Sequence, residues 1–521
     1  MADIVLINPR CKTSYWGLEF ALPLFGKRAA LPPAGLALLA AVTPPEHRVT
    51  IMDENVAPLD FGKLARADLV GVTGMSVQRF RMAEILDRLQ PYDCVTLVGG
   101  PWVTVSESYF KGQTDVIFIG EAETAWPRFL HDWQHGTPQP RYAQAERTDL
   151  TRLPLPRWDL VSSRHYLFGS IQLSRGCPHA CDFCDIIITY GHQPRMKTTS
   201  QVLAELDLLR HQHKEIVFIV DDNMMADRRG MKALLRELVD WQQRHGFPFF
   251  FAGQASIDCA DDAELLALMT AANVQALFIG LETPSETALR GANKRQNVQP
   301  DRGDMVQRVH RIQEAGIDVA SGMIVGFDSD DARIFDAHLR FACEARIAQV
   351  MTGMLYAIPK TPFYDRLKAE GRIDMDDRTP FGTNVRPARL SRAELSAGFL
   401  KLLSDLYEPA AYFSRMDALF LNPDIHFAPA RATYMRTHRL ARLRDRTGSL
   451  LRCAYLAWQM QWHIPERALR AEYRGRMRGW MRQRREPFDW FCLLVKCAFH
   501  YHYYCMTRQP DEQPRDVVNT F

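Results

Sequence analysis

No uncharged apolar run in the 521 residues reaches the ~18 needed to cross a bilayer, so no transmembrane helix is expected. Charge of one sign is also missing. The 64 Lys and Arg stand against 61 Asp and Glu, a formal net charge of +3, which announces no nucleic-acid partner. The first residues, Met1-Ala2-Asp3-Ile4-Val5-Leu6-Ile7, lack the basic stretch and long apolar run of a signal peptide and read as a first strand. No G-x-G-x-x-G follows that strand, which disfavours a dinucleotide. The 11 cysteines are odd in number and only three lie close together. That pattern argues for a reducing, cytoplasmic compartment rather than a disulfide framework. No Cys/His pair follows those three at the distance a four-ligand zinc site would want.

What is present is Ser174-Arg175-Gly176-Cys177-Pro178-His179-Ala180-Cys181-Asp182-Phe183-Cys184. The C-x₃-C-x₂-C spacing follows an apolar, strand-like run. Three thiolates can hold three irons of a cubane [4Fe–4S] cluster and leave the fourth iron open to a small molecule. His179 reads as a polar loop residue, since the thiols fill the pattern. The stretch resembles the cluster motif of the radical SAM superfamily, and Phe183 matches the aromatic residue that precedes the last cysteine there. The resemblance implies that the open iron chelates S-adenosylmethionine, whose reductive cleavage yields a 5′-deoxyadenosyl radical.

Apolar strands and amphipathic helices alternate along the first 130 residues: Ile4–Ile7, Val49–Met52, Leu69–Thr73, Val95–Val98 and Val116–Ile119 read as strands. This rhythm predicts a doubly wound, Rossmann-like parallel sheet over residues 1–134. Its strand ends carry Asn8, Pro9, Asp53, Gly74, Ser76, Gly99, Gly100, Gly120 and Glu121, where a ligand is expected. The glycines there either admit a ligand close to the backbone or make tight turns. Leu31–Ala40, Val98-Gly99-Gly100-Pro101 and Gly120-Glu121-Ala122-Glu123 resemble the cobalamin-binding domain that precedes many radical SAM domains. The resemblance makes those strand-end residues candidate cobalamin contacts. The D-x-H-x-x-G motif of mutase-type cobalamin domains is absent, and His47 is the one histidine in the first 130 residues. Cys11, Tyr15 and Trp16 are left as candidate neighbours of the cobalt.

Pro138, Pro140, Pro154 and Pro156 mark residues 135–165 as a connector. A second β/α rhythm then runs over residues 166–365. Strands are expected at Ile171–Ser174, Glu215–Val220, Phe249–Ala252, Ala276–Gly280, Asp318–Val325 and Val350–Tyr356, which gives a partial (β/α)₆ TIM-type barrel. Chemistry in such barrels collects at the carboxyl ends of strands. Asp221, Asp222 and Asn223 end the second strand, and Gln254 and Ser256 the third. Any of the first three could stand where the superfamily has its Gly-Gly-Glu motif. Family resemblance assigns Glu282 to the ribose of S-adenosylmethionine and the Gly322–Gly326 run to its adenine. Arg195 and Lys197 either hold the cofactor's carboxylate or form a solvated basic turn.

Residues 366–521 read as mostly helical. Residues 431–485 hold 15 Arg and the acids Asp445, Glu466 and Glu472, followed by the apolar, aromatic run Trp490–Tyr504. A helical cap with a solvated basic face, a membrane-surface segment and an RNA-binding surface are the three readings. The polar tail from Gln509 is expected to lack fixed structure. Around Thr361–Tyr364 and Leu390–Leu395 the chain resembles hopanoid C-2 methylases. The whole resemblance implies a cobalamin-dependent radical SAM C-methyltransferase acting on a hydrophobic substrate, an isoprenoid lipid or a tetrapyrrole. It also implies a reductant such as flavodoxin or ferredoxin. A non-methylating cyclase or oxidase and a non-catalytic cluster sensor are the alternatives. No residue is assigned as a catalytic acid or base.

Overall fold

The computed structural model describes residues 1–212, 214–375 and 382–508. The polar tail from Gln509 lies outside the described residues. The N-terminal sheet is parallel throughout, in the order β2-β1-β3-β4-β5-β6. Its strands are β1 (Asp3–Asn8), β2 (Arg48–Asp53), β3 (Leu69–Thr73), β4 (Val95–Gly99), β5 (Val116–Ile119) and β6 (Arg141–Ala143). The five expected strands are all present. The sixth corrects the reading of a structureless connector, because Arg141–Ala143 pairs with Ile117–Ile119. Proline is tolerated there because β6 is an edge strand. Pro140 lacks an N–H but still accepts from Ile117 N at 3.0 Å. One face of the sheet packs Phe118, Trp126, Phe129 and Tyr142, with Phe118 and Tyr142 stacked at 5.5 Å. The other face receives Met82, Ile85, Leu86 and Leu89, one stripe of the helix Arg79–Leu89.

A second parallel sheet follows. It is built from β7 (Gly169–Ile171), β10 (Ile216–Ile219), β11 (Phe250–Ala255), β12 (Val274–Glu282), β13 (Asp318–Val325) and β14 (Val350–Met354). Its order β14-β13-β12-β11-β10-β7 is sequential, as in a βα barrel that stops at six strands. Between β7 and β10 a short antiparallel ribbon joins β8 (Ser174–Arg175) to β9 (Arg195–Met196). The first barrel strand was expected to run through Ser174, but the sheet strand ends at Ile171. The buried Asp221 carboxylate draws the chain off the ladder by accepting from Leu173 N at 2.7 Å and Ser174 Oγ at 2.6 Å.

The residues after β1 close the open side of this partial barrel. Ala29 pairs with Tyr166, just ahead of β7. Tyr15 packs on Tyr407 and Tyr503 at 6.2 and 5.6 Å, and the Tyr407 hydroxyl bonds both Val350 N and Val350 O on β14. Trp16 reaches the lumen and meets Phe218 and Phe278 edge-on at 5.7 and 4.9 Å.

The C-terminal helices include Arg392–Leu406, Pro409–Phe420, Arg439–His463, Arg467–Gln483 and Pro487–Thr507. The apolar, aromatic run lies in the last of these and is mostly core. His500 bridges Tyr473 OH at 2.6 Å and Tyr407 O at 3.1 Å, and His502 Nε2 bonds Ser14 O at 2.8 Å. Among the described residues no helix is long and apolar enough to cross a membrane.

Candidate active site

The cysteine loop leaves β8 at the carboxyl end of the barrel and is fixed from several sides. Gly176 adopts φ +93°, and a Cβ there would sit 2.8 Å from Gln193 O, so the residue must be glycine. Cys177 N bonds Gly191 O at 3.2 Å, Asp182 N bonds Ala292 O at 3.1 Å, and Phe363 N bonds Asp182 O at 3.0 Å. All three thiols are free. Asn223 Nδ2 donates toward Cys177 Sγ at 3.8 Å and Gln296 Nε2 toward Cys181 Sγ at 3.4 Å. Such N–H donors favour charged sulfur. Burial pushes the Cys177 and Cys184 thiols up, a cost that metal ligation would offset by deprotonating them. Among the described residues no three His, Cys, Asp or Glu side chains converge on a single ion. A cubane takes each thiolate on a separate iron, so it does not require the three sulfurs to converge on one ion.

Lys294 is the cation of this site. Burial alone would lower its ammonium, but Glu282 and the thiols of Cys181 and Cys184 hold it above its ordinary range. Its Nζ lies 2.7 Å from Glu282 Oε1 and 5.8 Å from the centre of the Phe183 ring. Glu282 itself sits at φ +66°, an unusual conformation for a residue with a side chain, at a bulge where β12 and β13 shift register. Asn297 Nδ2 supports the bulge through the carbonyls of Gly280 and Leu281 at 3.1 and 3.0 Å. Lys294, Gln296 and Asn297 escaped sequence reasoning. The polar run Asn293-Lys294-Arg295-Gln296-Asn297 between barrel elements is the signal that could have found them.

The cofactor candidates divide. Asp221 spends both oxygens on the cysteine loop, so it positions rather than binds. Asp222 has the buried oxygen that lacks a partner. Burial and the neighbouring Asp221 push its carboxyl up to about 7. Asn223 joins Cys177 to the Ser256 hydroxyl, at 3.3 Å from the latter. Ser256 in turn donates to Asp258, which pairs with Arg228. Gln254 faces the lumen, one strand over from Phe278. Gly322 pairs in register with Gly280. Gly326 sits at φ +105°, where its N–H and that of Phe327 donate to Asp330 at 2.9 and 3.0 Å. Phe183 meets Phe327 edge-on at 6.2 Å. Arg195 and Lys197 are not free for a carboxylate. Lys197 pairs with the buried Glu205 at 2.7 Å, and Arg195 is taken by Glu121 at 2.8 Å.

That last pair joins the two sheets. Glu121, at the end of β5, accepts from Thr148 N at 2.6 Å and faces Arg175 at 3.2 Å as well as Arg195. Arg175 also pairs with Glu123 at 2.6 Å. Burial would raise the Glu121 carboxyl, but Arg195, Thr148 and Arg175 hold it below its ordinary range. The carboxyl edge of the first sheet thus meets the residue next to Gly176 in one buried charge network. Glu121 was expected at a ligand, and it clasps the cysteine loop instead.

The rest of that edge is largely knit to itself. Asp53 accepts from Asn8 at 3.1 Å, Asn55 at 2.8 Å and Tyr166 OH at 2.9 Å, while Gln78 bonds Pro9 O at 2.6 Å. Gly100 is at φ +103°, where a Cβ would strike Thr73 Oγ1; at Gly74 it would lie 2.8 Å from Met82 Sδ. A Cβ on Gly99 would lie 3.2 Å from Phe118 Cβ. Those three glycines answer internal packing. Gly120, at φ +76°, has nothing within 4 Å of a Cβ, and Met75, beside Ser76, is 53% exposed. This open backbone edge suits a flat ligand laid against main chain. His47 bonds Ala2 N at 3.1 Å, at the opposite, amino end of the strands, and cannot reach such a ligand. Tyr15 and Trp16 are carried into the barrel side. Cys11, its thiol pushed up to about 12 by burial, stays near the edge.

Comparison with known proteins follows these features. The family described as "Radical SAM superfamily" matches residues 171–342, and "Domain of unknown function (DUF4070)" matches residues 361–515. An uncharacterized methyltransferase of Synechocystis is 35% identical over 80% of this chain and 78% of its own length. Hopanoid C-2 methylase of Rhodopseudomonas palustris is 34% identical, with the same two shares. The fold is similar to that of the cobalamin-dependent S-adenosylmethionine radical enzyme OxsB with aqua-cobalamin bound. That likeness has a TM-score of 0.61 at 14% identity, over 96% of this chain and 84% of that one.

Proposed function

The chain belongs to the radical SAM methyltransferases, in one family with hopanoid C-2 methylase, and from that premise we propose a cobalamin-dependent C-methyltransferase acting on an unactivated carbon of a hydrophobic substrate. The observation that carries the reading is the buried clasp of Glu121 and Glu123 on Arg175. It sets the open edge of the first sheet against the cysteine loop, so two cofactors held by these surfaces would face one space. Residues 1–143, through β6, then form the cobalamin unit, and the barrel unit ends near residue 365.

Cys177, Cys181 and Cys184 would hold the cluster, with Asn223 and Gln296 donating to two of the sulfurs. Bound there, the cluster with S-adenosylmethionine supplies hydrogen-atom removal, and cobalamin supplies the methyl group. The protein's own part is placement. Asp222 has the free carboxylate oxygen for a cationic amino group, while Asp221 fixes the loop. Lys294 would offset negative charge at the thiolates, and it holds Glu282, which would serve the ribose hydroxyls. Gln254, Gly322 and Gly326 line the strand ends on which the adenosyl group would rest, and Phe183 packs over Lys294. Asn8, Pro9, Asp53, Gly74, Ser76, Gly99, Gly100 and Gly120 form the edge assigned to the corrin. Methyl-labelled S-adenosylmethionine tests the outcome. Label in the product supports methyl transfer, and an altered but unlabelled product points to a cyclase or oxidase.

A peripheral contact with an anionic bilayer belongs to the same reading. Leu440, Leu443, Leu451, Tyr455, Trp458 and Trp462 lie on one face of Arg439–His463, and Leu440 and Trp462 are 76% and 71% exposed. Arg439, Arg442, Arg444 and Arg446 accompany them, which matches the charge of anionic lipid.

A further inference from the structure

At the amino-end mouth of the barrel, away from the cysteine loop, lies a cavity of about 1270 Å³. It exceeds the ~300–1,000 Å³ of ordinary small-ligand pockets. Strand alternation explains why it exists. Val217, Ile279 and Val319 are fully buried and take no part in the lining, whereas their strand neighbours Phe218, Phe278 and Ala320 do. Along the inner face the sequence places small residues, Ala252, Ala276 and Ala320, one on each of three adjacent strands. They leave the lumen unfilled. Phe218, Phe278 and Met351 complete the apolar wall, and Trp16 reaches in from the segment after β1.

The cavity is continuous in register with the cofactor end. Two residues beyond Ala252 on the same strand face is Gln254, two beyond Phe278 is Gly280, and two beyond Ala320 is Gly322. That step is about 7 Å. The outer mouth is different. C-terminal helices cap it, and the lining there includes ten Lys and Arg against five Asp and Glu, Arg436 and Arg446 among them. Helix Arg439–His463 contributes Tyr455 to both this mouth and its own exposed apolar face.

We infer that this cavity is the binding site of a long apolar lipid whose polar end stays at the basic mouth and whose body reaches up to Trp16 and Phe278. The inner rungs are mostly apolar: Gln254 stands level with Phe278, and Asp318, level with Ala276, is already paired with Lys496, so a substrate rich in polar groups would lose its hydration with little replacement. Trp16 and Phe278 form the end stop that sets how far the lipid advances toward the reacting centre. The word substrate rests on the methyltransferase reading; the lipid site does not.

The test measures lipid binding without turnover. Radiolabelled geranylgeraniol and radiolabelled cholesterol, each with one polar end, are delivered from cyclodextrin to the reconstituted holoprotein, and bound lipid is counted after gel filtration. Saturable binding of at least one is expected. Ala276→Trp and Ala320→Trp, each filling the lumen, are expected to weaken it at least tenfold. Cluster absorbance and 5′-deoxyadenosine formation without substrate report that each variant is folded. No saturable binding of either lipid, or unchanged binding in both folded variants, overturns the inference. Saturable binding lost in the variants, with no 5′-deoxyadenosine from any of the proteins, keeps the lipid site and removes the methyltransferase reading.

Discussion

Glu121→Gln removes the charge that Arg175 and Arg195 share while keeping the side chain's size. The Glu121 and Arg175 side chains are 1% and 7% exposed. Breaking a buried pair by neutralising one partner leaves the other charge uncompensated, at a cost of ~3–5 kcal/mol. Glu123 still pairs with Arg175 at 2.6 Å, so the loss falls at the low end, ~3 kcal/mol. A chain with several units does not unfold in one step, so global denaturation is the wrong assay. Hydrogen exchange of the β8–β9 ribbon reads the local opening directly. At 1.4 kcal/mol per tenfold, amides of Ser174–Arg175 and Arg195–Met196 should exchange about 100-fold faster in the variant. Amides in β12, away from the clasp, should not change. Asp3→Asn, which removes an exposed partner of Arg48, should leave the ribbon at its wild-type rate. Ribbon exchange within threefold of wild type in Glu121→Gln would refute the claim that this network joins the sheet edge to the cysteine loop.

Cys177→Ala, Cys181→Ala and Cys184→Ala should each abolish cleavage of S-adenosylmethionine, read as 5′-deoxyadenosine, while the cobalamin spectrum survives reconstitution. Glu19 is half-buried and its carboxyl is pushed up to about 7 by burial. Its folded pKa exceeds the unfolded one, so the folded state binds the extra proton and stability falls as pH rises from about 4.5 toward 7. Glu19→Gln should therefore raise the melting temperature at pH 8 and leave it unchanged at pH 4, measured by differential scanning fluorimetry. Trp458→Ala combined with Trp462→Ala should reduce co-sedimentation with vesicles of phosphatidylglycerol and phosphatidylcholine several-fold, and neutral vesicles should bind neither protein strongly.

Much of this architecture was legible because strand signals are local. The five apolar runs of the first sheet and the six of the barrel needed only alternation and turn residues to be seen, and the structure keeps each to within a few residues. β6 was hidden by Pro138 and Pro140, since proline reads as a breaker in sequence and is harmless on an edge. The cysteine spacing announced the metal-binding loop. Its partners did not announce themselves: Lys294 and Gln296 lie more than a hundred residues from Cys181 and reach it only through the fold. Asp221 and Glu121 show the converse. Both sit at strand ends where ligands gather, and both are spent on holding the cysteine loop. A carboxylate at a strand end looks the same in sequence whether it faces a ligand or an arginine. The lumen cavity rests on three alanines in three strands, a pattern with no sequence signature of its own.

The most direct test of the central claim is 5′-deoxyadenosine itself. Protein purified without oxygen, reconstituted with iron, sulfide and cobalamin, is reduced with dithionite and given S-adenosylmethionine, and the nucleoside is quantified by mass spectrometry. The account predicts 5′-deoxyadenosine from the wild type and none from Cys181→Ala. Its absence from wild-type protein with a fully assembled cluster would contradict the account.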